Sequence, residues 1–416
     1  MKNFILSHKR WQQIFDVQLL IALIGIFLEV PSQNKKSLGI LIQGAFFIIV
    51  LGLNLYSQKV NRQNVIIFEI VRWLNLFGLS TLFPSVWVEI GNYFLKNVPQ
   101  LEILWVLLLW MSYLVLLLPL AILFVGTLKN WFLRLIGVGL LGTQYGPDSL
   151  LKISKNLPWL HSITSQGVIA ALALLILACF LGKEWGFHFN PNLKFVKSRS
   201  FQYSVLILLI LFASIDVFYN AFINYDKQIY TAFFKYSIDL QKKYFTIASF
   251  TSALEPGILE ETERYLAIII LLAGFKRYRS WRVPIAIYGS ALLFGLSHLG
   301  NIGWNGETFE ATIAQVIGVM GSGFLWAVLY LYSGKLWLPM IFHFWMDYLA
   351  NLQTGWNSAG WQFNGWATDY ISEVLMVLVP LVVTIWMMYG KRRELLEENA
   401  DRLMNVPLKK LMVAFN

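Results

Sequence analysis

Three short polar motifs interrupt the apolar last third of this chain, and their residues are of the types that move protons and hold oxyanions. They run from Ile258 through Glu260, Glu261, Glu263 and Arg264 to Tyr265, from Phe294 to His298, and from His343 to Asp347. An ionisable side chain at the centre of a membrane-spanning helix costs roughly 2.5–3.5 kcal/mol on insertion scales, so such residues face a protein interior and mark a functional site. On a helix, Glu260 and Arg264 are i,i+4 neighbours with Glu261 about 100° round, and Phe294–His298 and His343–Asp347 are i,i+4 pairs as well. The inventory suits Glu260 or Glu261 as general base on a water. His298, or His343 oriented by Asp347, would stabilise an oxyanion, and Arg264 would fix the geometry of the glutamate. Glu260, His298 and His343 are also donors that a divalent metal such as zinc accepts, although the HExxH pattern is absent.

The elements that must carry these residues are membrane helices. Of 416 residues 57% are hydrophobic and 13% charged, with a mean hydropathy of +0.59, whereas a soluble domain carries about 25% charged residues. Apolar runs of about 17–25 residues, each long enough to cross the hydrocarbon core as a helix, recur to about Tyr389. The period-2 alternation of a membrane barrel is missing. The chain therefore reads as an all-α, polytopic transmembrane bundle of about 11–13 spans, retained in the lipid bilayer by its first apolar run without a cleavable signal. Its single cysteine, Cys179, cannot form an internal disulfide. The net charge of +10 resides in short loops, which suits anionic headgroups rather than nucleic acid.

Composition divides the chain into an N-terminal transmembrane region at 1–182, an interfacial linker at 183–201, a second transmembrane region at 202–390 and a cytoplasmic tail at 391–416. In the first region, Glu69 and Arg72 are spaced to pair on one helix face. In the second, Pro256-Gly257 predicts a break, because proline removes a backbone hydrogen bond from a helix interior. The glutamates would then lie in a first helical turn, where the helix dipole favours negative charge. Asp216 is either a partner of the polar motifs or a helix-bridging hydrogen-bond acceptor. Lys and Arg cluster at Lys276–Arg282, Lys335 and Lys391–Arg393, which puts those turns and the N-terminus on the cytoplasmic side.

At the three motifs, over about 245–390, the chain resembles the CAAX-protease and bacteriocin-processing family of intramembrane endopeptidases, whose pattern is EExxxR, then FxxxH, then HxxxN or HxxxD on separate helices. Phe294–His298 and His343–Asp347 match the last two. In the first motif the arginine comes one position early, so the chain reads EExxR, and either Glu260 or Glu261 takes the role of base. The resemblance implies hydrolysis of a peptide bond in a membrane-associated or prenylated peptide or protein, with catalytic residues Glu260, Glu261, Arg264, His298, His343 and Asp347. It also implies a bacterial plasma membrane location, possible metal dependence through Glu260, His298 and His343, and a role in bacteriocin maturation or self-immunity. Two other functions fit the same residues: a non-catalytic scaffold or immunity relative, and a proton-coupled transporter.

Overall fold

The computed structural model describes residues 7–29, 38–59, 65–142, 146–195, 198–223, 227–303, 308–355, 365 and 367–405. Among them there is no β-strand, only one isolated antiparallel bridge between Ile223 and Tyr236. The chain forms two compact units, Met1–Trp185 and Gly186–Asn416.

The first unit contains α1 (His8–Glu29), α2 (Leu38–Lys59), α3 (Val65–Leu74), α4 (Ser80–Asn97), α5 (Glu102–Leu116), α6 (Leu118–Leu120), α7 (Trp131–Gly142), α8 (Pro158–Ser165) and α9 (Val168–Glu184). Phe15 anchors its core, meeting Phe83 and Phe124 edge-on at 6.0 and 5.5 Å. Edge-to-face contact sets the positive rim of one ring against the negative face of another. The predicted Glu69–Arg72 pair closes at 2.6 Å. Asn54 and Asn75 exchange amide hydrogen bonds at 2.9 and 3.1 Å, so each buried amide satisfies the other.

The second unit contains α10 (Tyr203–Phe222), α11 (Thr231–Phe234), α12 (Ile247–Gly274), α13 (Arg279–Ser297), α14 (Phe309–Ser333), α15 (Trp337–Thr354), α16 (Ala367–Met387) and α17 (Gly390–Leu403). Helix α14 is its centre, packed by α10, α13, α15, α16 and α17, while α12 lies against α13 and α15. The sequence of α14 explains that position. Gly321 leaves no room for a Cβ beside the Met376 carbonyl, and Gly323 admits Ala291 and Arg264. Small residues at such crossings let backbones approach, which is how helices gain contact energy when lipid is as apolar as their side chains. Gly257 does the same between α12 and α15, where an added Cβ would lie 3.0 Å from the Met340 carbonyl oxygen.

Helix α12 corrects one expectation: it runs unbroken from Ile247 to Gly274 with Pro256 inside it. The glutamates consequently sit in the middle of a helix rather than in a dipole-favoured first turn. Intramembrane proline is tolerated where neighbouring polar groups serve the disturbed backbone. Near it Asn351 of α15 donates to Ser252 Oγ at 3.0 Å, which ties the turn before the proline to the neighbouring helix.

Six helical stretches among the described residues are long and apolar enough to cross a membrane, seven if the bent pair α8–α9 is one span. That is fewer than the 11–13 expected. Some expected spans are short, such as Trp131–Gly142. Others, α12 above all, carry too many charges: every 18-residue window of α12 includes Glu260, Glu261, Glu263 and Arg264.

Two segments expected to be peripheral are bonded into the second unit. Within 183–201, His188 N–H donates to the Leu403 carbonyl at 2.6 Å, Leu193 N–H donates to Gly334 O at 2.8 Å, and Tyr330 hydroxyl donates to Pro191 O at 3.1 Å. The tail at 391–416 begins as α17, whose Asn399 amide caps the Leu331 and Tyr332 carbonyls at the end of α14. Arg282 of α13 pairs with Glu397 at 2.7 Å and with Asp401 at 2.6 Å. Burial lifts the Glu397 carboxyl above its ordinary range despite the guanidinium beside it. Residues 406–416 of the expected tail lie outside the described residues.

Candidate active site

Glu261 is 1% exposed and its two carboxylate oxygens are fully engaged. Arg264, one turn along α12, donates Nε–H to Oε2 at 3.0 Å and Nη2–H to Oε1 at 3.1 Å. This is the two-point fork that suits a planar guanidinium to a carboxylate. His343 of α15 approaches Oε1 with Nδ1 at 2.9 Å. A carboxylate accepts only, so that contact assigns the Nδ1 proton to His343 and turns Nε2 the other way.

Nε2 faces two further acids. Glu260 Oε2 lies 3.4 Å away and Asp347 Oδ2 3.5 Å away. These side chains are 27% and 30% exposed, against 1% for Glu261 and 5% for His343. The contrast separates the adjacent glutamates: Glu261 is locked inside the bundle, while the Glu260 side chain is part-exposed.

Of the two glutamates the sequence left open as partners of Arg264, the structure pairs it with Glu261. A helical side chain leans toward the N-terminus and can reach either the third or the fourth residue before it; here Arg264 takes Glu261, and Glu260 turns toward His343 of α15.

Arg264 is itself enclosed. Its guanidinium carbon stands 3.9 Å over the Phe294 ring of α13 and 5.5 Å from the Trp326 ring of α14. The faces of both rings carry negative potential. Nη1, buried without a hydrogen-bond partner, occupies the space left by Gly323, whose Cβ would come within 2.6 Å of it. The Trp326 ring also packs on His343 at 4.8 Å between centroids. The phenylalanine of the FxxxH motif thus has a physical duty as the platform for the arginine.

His298 joins the group indirectly. It stands at the end of α13 with Nδ1 3.0 Å from the Phe294 carbonyl oxygen and its ring 4.8 Å from the Phe294 ring. A carbonyl accepts, so Nδ1 carries the proton and Nε2 is the nitrogen left for other chemistry. Five of the six predicted residues, Glu260, Glu261, Arg264, His343 and Asp347, are in direct contact, and His298 is linked to them through Phe294.

Among the described residues, no three His, Cys, Asp or Glu side chains are grouped so as to hold a metal ion. The set Glu260, His298 and His343 is not assembled among them.

Two contributors were not singled out in the sequence. Trp326 lies in an apolar helix and gives no chemical signal in one dimension. Glu263 is half-buried beside Glu260 and Arg264 and interacts with the charge of both. Its i,i+3 spacing from Glu260 was the clue available.

Residues 242–349 match the family described as Type II CAAX prenyl endopeptidase Rce1-like. No curated protein and no solved structure matches the chain. The matched segment contains all three motifs, from Glu260 to Asp347, and the family is one of membrane-embedded proteases. Residues 242–349 of this integral multi-pass membrane protein are thus similar to the type II CAAX prenyl endopeptidase family, Rce1-like.

Proposed function

We propose that the protein is an intramembrane endopeptidase in which Glu260 is the base that activates water and Glu261 is the fixed point that orients the site. The observation that carries this reading is the contrast between the two glutamates. Glu261 already accepts from Arg264 and His343 with both oxygens, whereas Glu260 is part-exposed and faces His343 Nε2. A general base must reach the proton it removes and must not be committed elsewhere.

In the proposed reaction Glu260 takes a proton from water as the water oxygen bonds to the scissile carbonyl carbon. The carbonyl π electrons move onto its oxygen. His343 Nε2 or His298 Nε2, when protonated, donates to that oxyanion, a contact that strengthens as charge develops. When the tetrahedral carbon collapses and the carbon–nitrogen bond breaks, Glu260 returns its proton to the departing amine. Asp347 holds the outer side of His343, and Arg264 holds Glu261 and through it the imidazole. The substrate is a membrane-associated or lipidated peptide, with bacteriocin maturation or self-immunity in a bacterial plasma membrane as its setting.

The test is cleavage of membrane-anchored and prenylated peptides by the purified protein beside a Glu260→Gln variant of matched folding. Turnover abolished by the substitution supports the assignment. An inert wild type, with a Glu260→Gln variant that still supports the cellular phenotype, would mean a scaffold or immunity role.

A further inference from the structure

A second polar feature of the C-terminal unit lies apart from these motifs. Helices α10, α14 and α16, with the short α11, enclose a cavity of about 180 Å³. Its walls are chiefly apolar, among them Leu325, Met376 and Val383, and four aromatic residues, Phe212, Tyr219, Phe233 and Tyr236, line it as well. Ile215, Val379, Phe233 and Tyr236 are exposed, so the cavity communicates with the outer face of the bundle, where lipid would lie. Cavities of about 150 Å³ lined by apolar side chains hold a molecule the size of benzene.

One wall is not apolar. Asp216 of α10 lines the cavity and is 8% exposed. Its Oδ1 accepts from Ser322 Oγ at 3.2 Å and from the Asn220 amide at 3.4 Å, while Oδ2 is buried without a hydrogen-bond partner. A buried polar atom left unbonded costs about 1–3 kcal/mol, and more when charged. A helix that needed only a bridging hydrogen bond to Ser322 would be served by asparagine. A carboxylate with one idle oxygen, in an apolar and aromatic chamber, is complementary to a compact organic cation: the oxygen takes an N–H and the ring faces take the charge.

We propose that this cavity is a binding site for a small apolar amine in its ammonium form, entering laterally from the bilayer side and held by Asp216 Oδ2. Ser322 and Trp326 are one turn apart on α14, and Trp326 packs on His343. The bound amine would therefore sit three side chains from the imidazole, through Asp216, Ser322 and Trp326, while remaining outside the group that contains Glu260.

The experiment is a thermal unfolding titration of the full chain in phosphatidylcholine nanodiscs, with 2-phenylethylamine as probe and 2-phenylethanol, of the same shape and uncharged, as control. The expected result is a saturable rise in unfolding temperature, with a midpoint at least tenfold lower for the amine than for the alcohol. Asp216→Asn should abolish that difference, and Val379→Trp, at the exposed mouth, should remove saturable binding of both. Equal midpoints in the wild type, no saturable shift, or a preference for the amine that persists in Asp216→Asn would overturn the proposal. Peptidase activity does not enter the readout, so the result stands apart from the assignment of Glu260.

Discussion

Arg264 grips Glu261 rather than Glu260, with Nε and Nη2 at 3.0 and 3.1 Å from its two carboxylate oxygens. The pair is 2% and 1% exposed, and removing one partner of a buried pair typically costs about 3–5 kcal/mol because the other charge is stranded. Glu261→Gln and Arg264→Ala should each lower stability by about that amount and lose activity with it. Equilibrium unfolding in micelles measures this, and a fully stable, inactive Glu261→Gln protein would mean that Glu261 acts in chemistry alone.

Glu260→Gln should behave in the opposite way. The side chain is 27% exposed and, among the described residues, it pairs with His343 Nε2 at 3.4 Å, so stability should change by less than about 1 kcal/mol, as for part-exposed ion pairs. Turnover should fall by about 10²- to 10⁴-fold, the usual contribution of a general base. Parallel unfolding and cleavage measurements separate the two effects.

Gly323 is where helix packing and site geometry meet. A Cβ there would lie 2.6 Å from Arg264 Nη1 and 2.9 Å from Ala291 Cβ, so Gly323→Ala must displace the guanidinium or open the α13–α14 contact. Overpacking of this kind costs about 1–3 kcal/mol. Reduced unfolding temperature together with reduced turnover is the expected outcome, and an unchanged protein would contradict the close approach.

The docking of α17 rests on Arg282, which faces Glu397 and Asp401 together. Arg282→Ala strands the buried Glu397, leaves Asp401 only its pairing with the exposed Arg279 at 3.2 Å, and should destabilise the unit by about 3–5 kcal/mol. Hydrogen exchange should then show lost protection over Gly390–Leu403. Protection equal to that of the wild type would mean that the apolar contacts of Leu395, Leu396 and Leu403 and the Asn399 bonds hold the helix without Arg282.

Much of the site was legible because apolar surroundings make a buried acid or imidazole conspicuous: Glu261, His343 and Asp347 stand out in any hydropathy reading, and their helical spacing places each pair on one face. What could not be read was which glutamate Arg264 would take. Both i,i+3 and i,i+4 partners are within reach of an arginine, and the choice depends on Phe294, Trp326 and Gly323 from two other helices. The same limit applies to Pro256, which α12 carries without a break while packed along α13 and α15, neighbours that local sequence does not reveal. The helical character of the chain was plain from composition. The docking of α17 depended on Arg282 and Asn399, residues that read as solvated charge and polarity when taken alone.

The most direct test of the central claim is single-turnover cleavage of a prenylated, membrane-anchored peptide by wild-type, Glu260→Gln and Glu261→Asp proteins at matched folded concentration. Glu261→Asp keeps the buried charge while shortening its reach. If Glu260 is the base, Glu260→Gln should show no cleavage above background and Glu261→Asp a reduced but measurable rate. Cleavage by Glu260→Gln at a rate near wild type would contradict the account and move the base to another carboxylate.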